Sequence, residues 1–389
     1  MTEAVIVSGA RTAMGKGRKG SLRGARPDDL AAAVIREAVR RAGIEPDDVE
    51  DVLLGCAIPE GEQGMNVARI ATLRAGLPVT VSAATVNRFC ASGLQTIAMA
   101  ADEVRSGRAE AVVAGGVESM SRVAMFSRTY ANPALAREWP GVYLGMGLTA
   151  ENLARKYGIS REESDRFALE SHRKAIAAID AGRYRDEILP FEVETAAARD
   201  GGVERRAFEL SVDECPRRDT TLEGLASLRP VFSREGTVTA GNASQTSDGA
   251  AALVVLSRRK AADLGCRPRA VLRAYATAGV PPEIMGIGPV AAVPKALAQA
   301  GLSLDDMDLI ELNEAFAVQA LAVAKELELP PERLNVNGGA VALGHPLGCT
   351  GARLALSALH EIERREGRYA LITMCVGGGM GAAGIIERV

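Results

Sequence analysis

The chain of 389 residues carries an internal repeat that links its two ends. Residues 42–50 (AGIEPDDVE) match residues 300–308 (AGLSLDDMD) at an offset of about 258 positions, between a predicted helix and a predicted strand in both copies. A cysteine, a helix and an apolar strand recur at nearly the same offset, beginning at Cys90 and again at Cys349. Such a constant offset indicates two halves of one fold, related by duplication.

Strands alternate with helices in both halves, which predicts an α/β fold of mainly parallel sheets with helices on both faces. The first half is expected over residues 1–118, completed by about 247–269, and the second half over residues 270–389. Residues 119–246 lie between the halves and do not repeat, so we interpret them as an inserted loop domain.

The inserted segment has few regular signals. Ser160 and Glu163 form a capping box that predicts a helix, and charged, irregular sequence then continues to Arg218. An apolar run from Ala250 to Leu256 is expected to be the strand that returns to the first half. A segment of this kind is typical of one that roofs an active site.

Charge and cysteine usage exclude several classes of protein. The 46 basic and 49 acidic residues give a formal net charge of -3, without the basic excess that a nucleic-acid partner requires. No apolar run approaches the roughly 20 residues that span a bilayer, and the first residues lack the features of a signal peptide. We therefore expect a cytoplasmic protein with no membrane partner. The six irregularly spaced cysteines are expected to be free thiols, and without a CxxC pair they indicate no metal site.

Two formal GxGxxG matches do not predict nucleotide binding. No apolar helix begins in the loop from Gly15 to Gly20, as a dinucleotide fingerprint requires. The second match, from Gly379 to Gly384, lies so close to the C-terminus that no βαβ unit can follow it.

Cys90 lies where an extended segment turns into a predicted helix, within VNRFCASGLQTIAMAADEV. Apolar residues recur after it at helical spacing and give that helix one buried face. Unpaired N–H groups and the positive end of the helix dipole gather at a helix N-terminus and favour thiolate over thiol. Cys90 is therefore a candidate nucleophile, and a packed, inert thiol is the alternative from position alone.

Three stretches of the second half add polar or nucleophilic side chains. Asn313 follows the predicted strand Leu309 to Leu312, at the edge where open parallel sheets carry their sites. His345, one of three histidines, lies in the glycine-lined loop GGAVALGHPLG, and Cys375 lies in MCVGGGMG. Taken singly, each has another explanation: a helix cap for Asn313, a hydrogen-bonded loop histidine for His345 and a packed thiol for Cys375.

Taken together, stretches along the whole chain resemble motifs of the thiolase family, in the family's order: VNRFCASGLQ, GGVESMS, MGLTAEN, TVTAGNASQ, NEAFA, GGAVALGHPLGCTGAR and CVGGGMG. The resemblance implies a five-layered αβαβα thiolase fold of two similar halves with an inserted loop domain, assembled as a homodimer or homotetramer. VPPEIMGIGP and AVALGHPLGCTGAR look closest to the degradative 3-ketoacyl-CoA thiolases. Gly145 stands where short-chain biosynthetic members typically have a histidine.

The resemblance also implies roles for the site residues. Cys90 would attack the substrate ketone and carry the acyl group as a thioester, after His345 has deprotonated it. Cys375 would exchange the proton at the α-carbon and at the thiol of coenzyme A. A water held by Asn313, with His345, and the backbone N–H groups of Cys90 and Gly377 would stabilise the oxyanions.

Coenzyme A is expected as a co-substrate, with no permanently bound cofactor. By resemblance it lies under the loop domain, where Ala243 and Ser244 approach the pantetheine, Phe232 the adenine and Arg217 the phosphates, while Met146 lines the substrate site. The implied reaction is thiolysis of a 3-ketoacyl-CoA to acetyl-CoA and a shortened acyl-CoA, and the reverse Claisen condensation. A β-oxidation multienzyme complex is a further expected partner.

Several alternatives stay open from the sequence. An acetoacetyl-CoA thiolase or a 3-oxoadipyl-CoA thiolase would share all the motifs. A condensing enzyme for carrier-bound acyl chains would pair its cysteine with two histidines or with histidine and asparagine, whereas His172 and His360 lie outside any site motif. A non-catalytic acyl-CoA-binding relative would normally have lost Cys90, His345 or Cys375.

Overall fold

The computed structural model describes residues 2–125, 130–199 and 202–389. Its strands are β1 (Ala4–Thr12), β2 (Gly15–Lys16), β3 (Asp51–Gly55), β4 (Ser82–Val86), β5 (Ala111–Ser119), β6 (Ile188–Leu189), β7 (Phe191–Arg199), β8 (Gly202–Leu210), β9 (Ser247–Ser257), β10 (Ala270–Gly279), β11 (Leu309–Leu312), β12 (Tyr369–Val376) and β13 (Met380–Arg388). Its α-helices are α1 (Pro27–Ala42), α2 (Val67–Arg74), α3 (Ser92–Ser106), α4 (Pro133–Glu138), α5 (Met146–Tyr157), α6 (Arg161–Asp180), α7 (Leu222–Ala226), α8 (Arg258–Asp263), α9 (Gly288–Ala300), α10 (Ala317–Glu326), α11 (Ala340–Leu343) and α12 (Leu347–Arg364).

The main strands follow the order β11-β12-β13-β10-β1-β9-β5-β3-β4. β1 and β10 meet at a single residue pair, Ile6 with Ala270, so the strands separate into two sheets there. β3 is parallel to β4 and β5, and β11 is parallel to β12, but β9 and β13 run antiparallel to both of their neighbours. The prediction of mainly parallel sheets was therefore wrong, because β13 returns from β12 through a short turn and β9 returns from the inserted segment without a crossover helix.

Alternate residues of each strand face different helix layers, as the two-residue period of a strand requires. Val5 and Val7 of β1 pack with α1 and α2, whereas Ala4 and Ile6 pack with α3 and α12. On the second sheet, residues such as Leu371 pack with α9 and α10. The layers are therefore α1 and α2, the first sheet, α3 and α12, the second sheet, then α9 and α10, which confirms the predicted αβαβα fold.

The two central helices, α3 and α12, touch through their backbones near their N-termini. A Cβ placed on Gly93 would lie 2.7 Å from the backbone nitrogen of Ala352, and one placed on Gly351 would lie 2.3 Å from that of Leu94. Only glycine permits this approach at these two positions. The contact brings the start of one helix from each half into the same region of the molecule.

The segment between β5 and β9 packs over the second half. Its longest helix, α6, begins at the predicted capping box, in which Ser160 and Glu163 hydrogen-bond each other's backbone N–H groups. The expectation of irregular sequence up to Arg218 was wrong for part of this segment, since β7 and β8 form an antiparallel hairpin from Phe191 paired with Leu210. Among the residues that the structure describes, no helix is long and apolar enough to cross a membrane.

Candidate active site

Cys90 lies in a short 3-10 turn, Phe89–Ala91, that leads directly into α3. The preceding residue, Phe89, has a φ of 43°, a left-handed conformation that costs a bulky side chain roughly 1–3 kcal/mol. Cys90 is half-buried, whereas the other five cysteines of the chain are buried. The turn therefore leaves Cys90 partly exposed, whereas the fold buries the other five cysteines.

The Cys90 thiol faces two backbone donors, its own N–H and the N–H of Gly377. Desolvation by the surrounding protein raises the pKa of this thiol to about 11, although both hydrogen bonds act to lower it. The expectation that the helix start favours the thiolate is therefore wrong, because desolvation outweighs the two N–H donors. A neutral thiol needs a base, and the two N–H groups are in place to receive a developing oxyanion.

His345 supplies a base of suitable form. Its Nδ1 lies 2.6 Å from Oγ1 of Thr350, and that hydroxyl donates its own proton to the Pro346 carbonyl at 2.9 Å. Thr350 must then accept from Nδ1–H, which leaves the lone pair on Nε2. Burial lowers the pKa of His345 to about 3, and the charge of Arg353 adds to the effect, so the imidazole is neutral.

Asn313 sits directly after β11, with its amide Nδ2 at 3.3 Å from Nε2 of His345. It is not a helix cap, because the following helix, α10, begins at Ala317 with Phe316 as its N-cap residue. The Oδ1 atom of Asn313 is buried and has no hydrogen-bond partner within the described residues. This atom is free to hold a water or a polar atom of a ligand.

Cys375 is buried near the end of β12, two residues before Gly377. Burial raises the pKa of its thiol well above the ordinary value, and the neighbouring Cys90 raises it further. The two thiols thus lie close enough to affect each other's charge. The structure thus groups Cys90 with Cys375 and Gly377, and Asn313 with His345. The two groups adjoin, because α12, which begins two residues after His345, packs against the Phe89–Ala91 turn.

The predicted substrate-facing residues continue from this site along one wall. The Met146 sulfur lies 3.9 Å from the position that a Cβ on Gly377 would take. The Ser244 N–H donates to the Ala315 carbonyl at 2.9 Å, and Ala243 is bridged to Phe316. The ring of Phe232 stands edge-on to that of Phe316, with centroids 6.2 Å apart.

Arg217 lines a neighbouring cleft of about 340 Å³, which is bounded on another side by Gly241 and Gln245. The backbone carbonyl of Gln245 accepts the His345 N–H at 3.0 Å, so the cleft adjoins the catalytic loop. His172, which sequence motifs leave outside the site, also lines the cleft and accepts the Arg217 N–H at Nδ1, at 3.1 Å. Burial lowers the pKa of His172 to about 4, which keeps it neutral.

Sequence reasoning missed two residues of this region, Thr350 and Glu118. Thr350 fixes the tautomer of His345, and Glu118 accepts the N–H of Gly348 at the start of α12. For Thr350, the sequence offered one indication, its position five residues after His345 and within the first turn of a predicted helix. Within the described ranges, no group of histidine, cysteine or acidic side chains has an arrangement that could hold a metal ion.

Comparison with known proteins gives matches over both halves. A family model described as "Thiolase, N-terminal domain" matches residues 4–259, and one described as "Thiolase, C-terminal domain" matches residues 266–388. A 3-ketoacyl-CoA thiolase of Bacillus subtilis is 54% identical over 389 residues, which is 100% of each chain. A beta-ketoadipyl-CoA thiolase of Escherichia coli is 48% identical over 411 residues, again 100% of each. The crystal structure of the Bacillus anthracis acetyl-CoA acetyltransferase superimposes with a TM-score of 0.91 at 44% identity, covering 100% of this chain and 99% of that one.

Proposed function

Because the chain belongs to the thiolase family and is a thiolase-type acyltransferase, we propose that its substrates are 3-ketoacyl-CoA thioesters of the degradative class, cleaved by coenzyme A. The observation that carries the proposal is the arrangement around Cys90: its thiol faces two backbone donors and a second thiol, and its turn packs against α12, which follows the loop of the neutral His345 imidazole. This arrangement provides a nucleophile, a base, an acid and an oxyanion site for one reaction.

The first half-reaction transfers the acyl group to Cys90. Nε2 of His345 takes the thiol proton as Sγ attacks the C3 ketone, and the N–H groups of Cys90 and Gly377 receive the oxyanion. The C2–C3 bond then breaks, and its electron pair forms the enolate of acetyl-CoA. The new Nε2–H of His345 and a water held by Asn313 donate to the enolate oxygen, and Cys375 protonates C2.

The second half-reaction releases the shortened acyl-CoA. The Cys375 thiolate takes the proton from the thiol of an incoming coenzyme A, whose sulfur attacks the Cys90 thioester. The C–S bond to Cys90 breaks, and the departing thiolate recovers its proton from His345. Both thiols and the imidazole return to their starting forms, so the cycle needs no further cofactor.

The acyl chain would leave the site past apolar side chains. Phe89 is 43% exposed, and its ring lies about 3.8 Å from the position of a Cβ on Gly377. Leu148, two residues beyond Met146, is 39% exposed. These surfaces favour an alkyl chain over a dicarboxylic one, since an apolar wall gives a terminal carboxylate no partner.

Turnover with C4, C8, C16 and 3-oxoadipyl thioesters tests the substrate class. Cleavage of C8 or C16 at least as efficient as that of C4 is the expected result. Activity confined to C4 would instead identify an acetyl-CoA acetyltransferase, the class of the Bacillus anthracis protein, and preference for 3-oxoadipyl-CoA would identify the class of the Escherichia coli relative. Absence of turnover with all four thioesters, by properly folded protein, would refute the proposal.

Coenzyme A would occupy the wall and cleft described above. We place its pantetheine against Ala243 and Ser244, its adenine near Phe232 and its phosphates toward Arg217. Arg217→Ala should then raise the KM for coenzyme A and change the KM for dephospho-coenzyme A less, because the lost contact is to phosphate. An equal change in KM for coenzyme A and dephospho-coenzyme A would show that Arg217 does not contact the 3′-phosphate.

We also propose that the chain forms at least a homodimer. β4 is an edge strand of the first sheet, with β3 as its partner among the described residues. Apolar side chains are exposed on and beside this edge: Met65 92%, Ile70 44%, Leu73 43% and Val79 78%. An edge strand flanked by apolar surface favours pairing with a second copy. Light scattering should give at least twice the chain mass for the protein and the monomer mass for a Val79→Glu, Leu73→Glu variant.

Two further expectations belong to this proposal. A cytoplasmic location agrees with the sequence and is tested by cell fractionation. A β-oxidation multienzyme partner is tested by affinity purification from cells that use fatty acids, with the Cys90→Ala protein as bait.

A further inference from the structure

Glu118, at the end of β5, is fully buried and surrounded by hydrogen-bond donors. One carboxylate oxygen accepts the N–H groups of Ala57 and Gly348, both at 2.8 Å. The other accepts Nε2 of Gln63 at 2.5 Å and the N–H of Ile58 at 3.3 Å. The Cys56 thiol donates to the second oxygen as well, at 3.7 Å. All five groups are donors, so a carboxylate satisfies them and a neutral amide would set a further N–H group against them.

These contacts join the two halves of the molecule at the catalytic site. Ala57 and Ile58 follow β3 in the first half, whereas Gly348 belongs to the first turn of α12 in the second half. Gly348 lies three residues after His345, directly beyond the loop that presents the imidazole. A carboxylate at the start of α12 also interacts favourably with the helix dipole.

The internal repeat gives this carboxylate a counterpart. Glu118 and Gly377 occupy equivalent places in the two halves, as Gly348 and Phe89 do, at the same offset as Cys90 and Cys349. Glu118 touches Gly348 at the start of α12, and Gly377 lies beside Phe89 at the start of α3. At the end of β5, the Glu118 carboxylate fills the space before α12. After β12, Gly377 has no side chain, and it leaves the corresponding space before α3 to the Cys90 thiol and the substrate.

We propose that Glu118 is a positioning residue for the thiolase reaction: it holds the His345 loop of the second half in register with Cys90 of the first. The carboxylate does not touch the reacting atoms, and it acts through Gly348 on the placement of the imidazole. A small displacement of a catalytic base is enough to lower turnover on the order of 10²-fold.

The inference rests on the proposed function, and wild-type thiolysis in the same assay tests that function separately. Glu118→Gln keeps the size of the side chain and loses the second acceptor oxygen. Glu118→Asp keeps the charge but cannot reach the Ala57 and Gly348 N–H groups together. Glu187→Gln is the matched control, because Glu187 is also buried and touches α12, but at Ser357, far along the helix from His345.

Each variant is measured for kcat, for the KM of coenzyme A, for the rate of Cys90 acetylation by acetyl-CoA and for the melting temperature. We expect Glu118→Gln to lower kcat and acetylation roughly 10²-fold with KM changed less than about twofold, and Glu118→Asp to recover part of both rates. Glu187→Gln should lower the melting temperature and keep kcat per folded molecule.

Three results would overturn the proposal. One is a normal kcat per folded molecule in Glu118→Gln. Another is an equal loss of kcat in Glu187→Gln, since the effect would then follow from the loss of any buried carboxylate and not from the contact with Gly348. The third is failure of both Glu118 variants to fold, which would make the residue a determinant of folding instead of a positioning residue. An inactive wild-type protein would refute the proposed function, and the positioning role that rests on it would be overturned with it.

Discussion

Replacing Thr350 with valine removes the oxygen atom that accepts the Nδ1–H of His345, at 2.6 Å in the structure. Valine has nearly the same shape, so the packing of α12 should change little. The buried Nδ1–H loses its acceptor, which penalises the tautomer with the proton on Nδ1 and favours the tautomer with the proton on Nε2. In that tautomer the ring has no lone pair toward Cys90 and cannot act as the base.

The size of the effect follows from the hydrogen bond. A buried donor left without a partner costs about 1–3 kcal/mol, and about 1.4 kcal/mol corresponds to a factor of ten. The active tautomer should therefore become roughly 5- to 150-fold less favoured, and kcat should fall by a similar factor. The KM for coenzyme A should stay nearly constant, because Thr350 lies behind the imidazole.

Release of acetyl-CoA from acetoacetyl-CoA and coenzyme A, followed in a coupled assay, measures this directly. Thr350→Ser is the control, since it restores the hydroxyl and should keep most of the activity. Turnover of Thr350→Val within about twofold of wild type would refute the assignment of Nδ1 as the protonated nitrogen. An equal loss in Thr350→Ser would show that the methyl group matters instead.

The remaining predictions concern the other site residues and the buried histidines. Cys90→Ala should form no acetyl-enzyme, whereas Cys375→Ser should take one acetyl group from acetyl-CoA, seen by intact-protein mass, and fail in condensation and thiolysis; an acetyl group mapped to Cys375 in wild type would reverse the roles. Asn313→Ala should lower kcat on the order of 10²-fold with little change in melting temperature, because it caps no helix; a large fall in melting temperature with kcat intact would contradict this. The pKa of His345 is lowered to about 3 and that of His172 to about 4. Between these values and the ordinary pKa near 6.5, only the unfolded chain takes up the two protons. The free energy of unfolding should therefore fall by up to about 1.4 kcal/mol for each histidine with every unit that the pH is lowered. Thermal unfolding from about pH 7 to about pH 4.5 measures this slope, which His172→Gln should reduce; a slope unchanged in His172→Gln would show that this residue is not buried in its neutral form.

Much of the architecture could be predicted because it repeats. The repeat predicted two similar halves of alternating strands and helices. The five layers were implied by the resemblance to the thiolase family, with which the repeat agrees. His345 and Cys375 could be selected because they lie in glycine-rich stretches, Cys90 because it precedes a predicted helix and Asn313 because it follows a predicted strand. Their surrounding motifs, through the resemblance to the thiolase family, indicated a reaction before any distance was known.

Other features depend on contacts that no local pattern records. Glu118 looks like one polar residue at a strand end, and its role arises from Gly348, which lies in the other half. The pKa of Cys90 rises because desolvation by the surrounding protein outweighs its two N–H donors, a balance that its place at a helix start could not reveal. The hairpin of β7 and β8 was missed since its strands are rich in charge and lack a clear apolar face.

The position of β9 between β1 and β5 has a consequence for synthesis of the protein on the ribosome. β1 and β5 leave the exit tunnel early, but the strand that joins them follows only after residues 120–246, a delay on the order of ten seconds at typical translation rates. During that interval the nascent first half exposes the apolar edges of both strands. Chaperones that bind extended apolar segments should therefore engage the emerging chain until β9 has passed the tunnel, and release it as the first sheet closes.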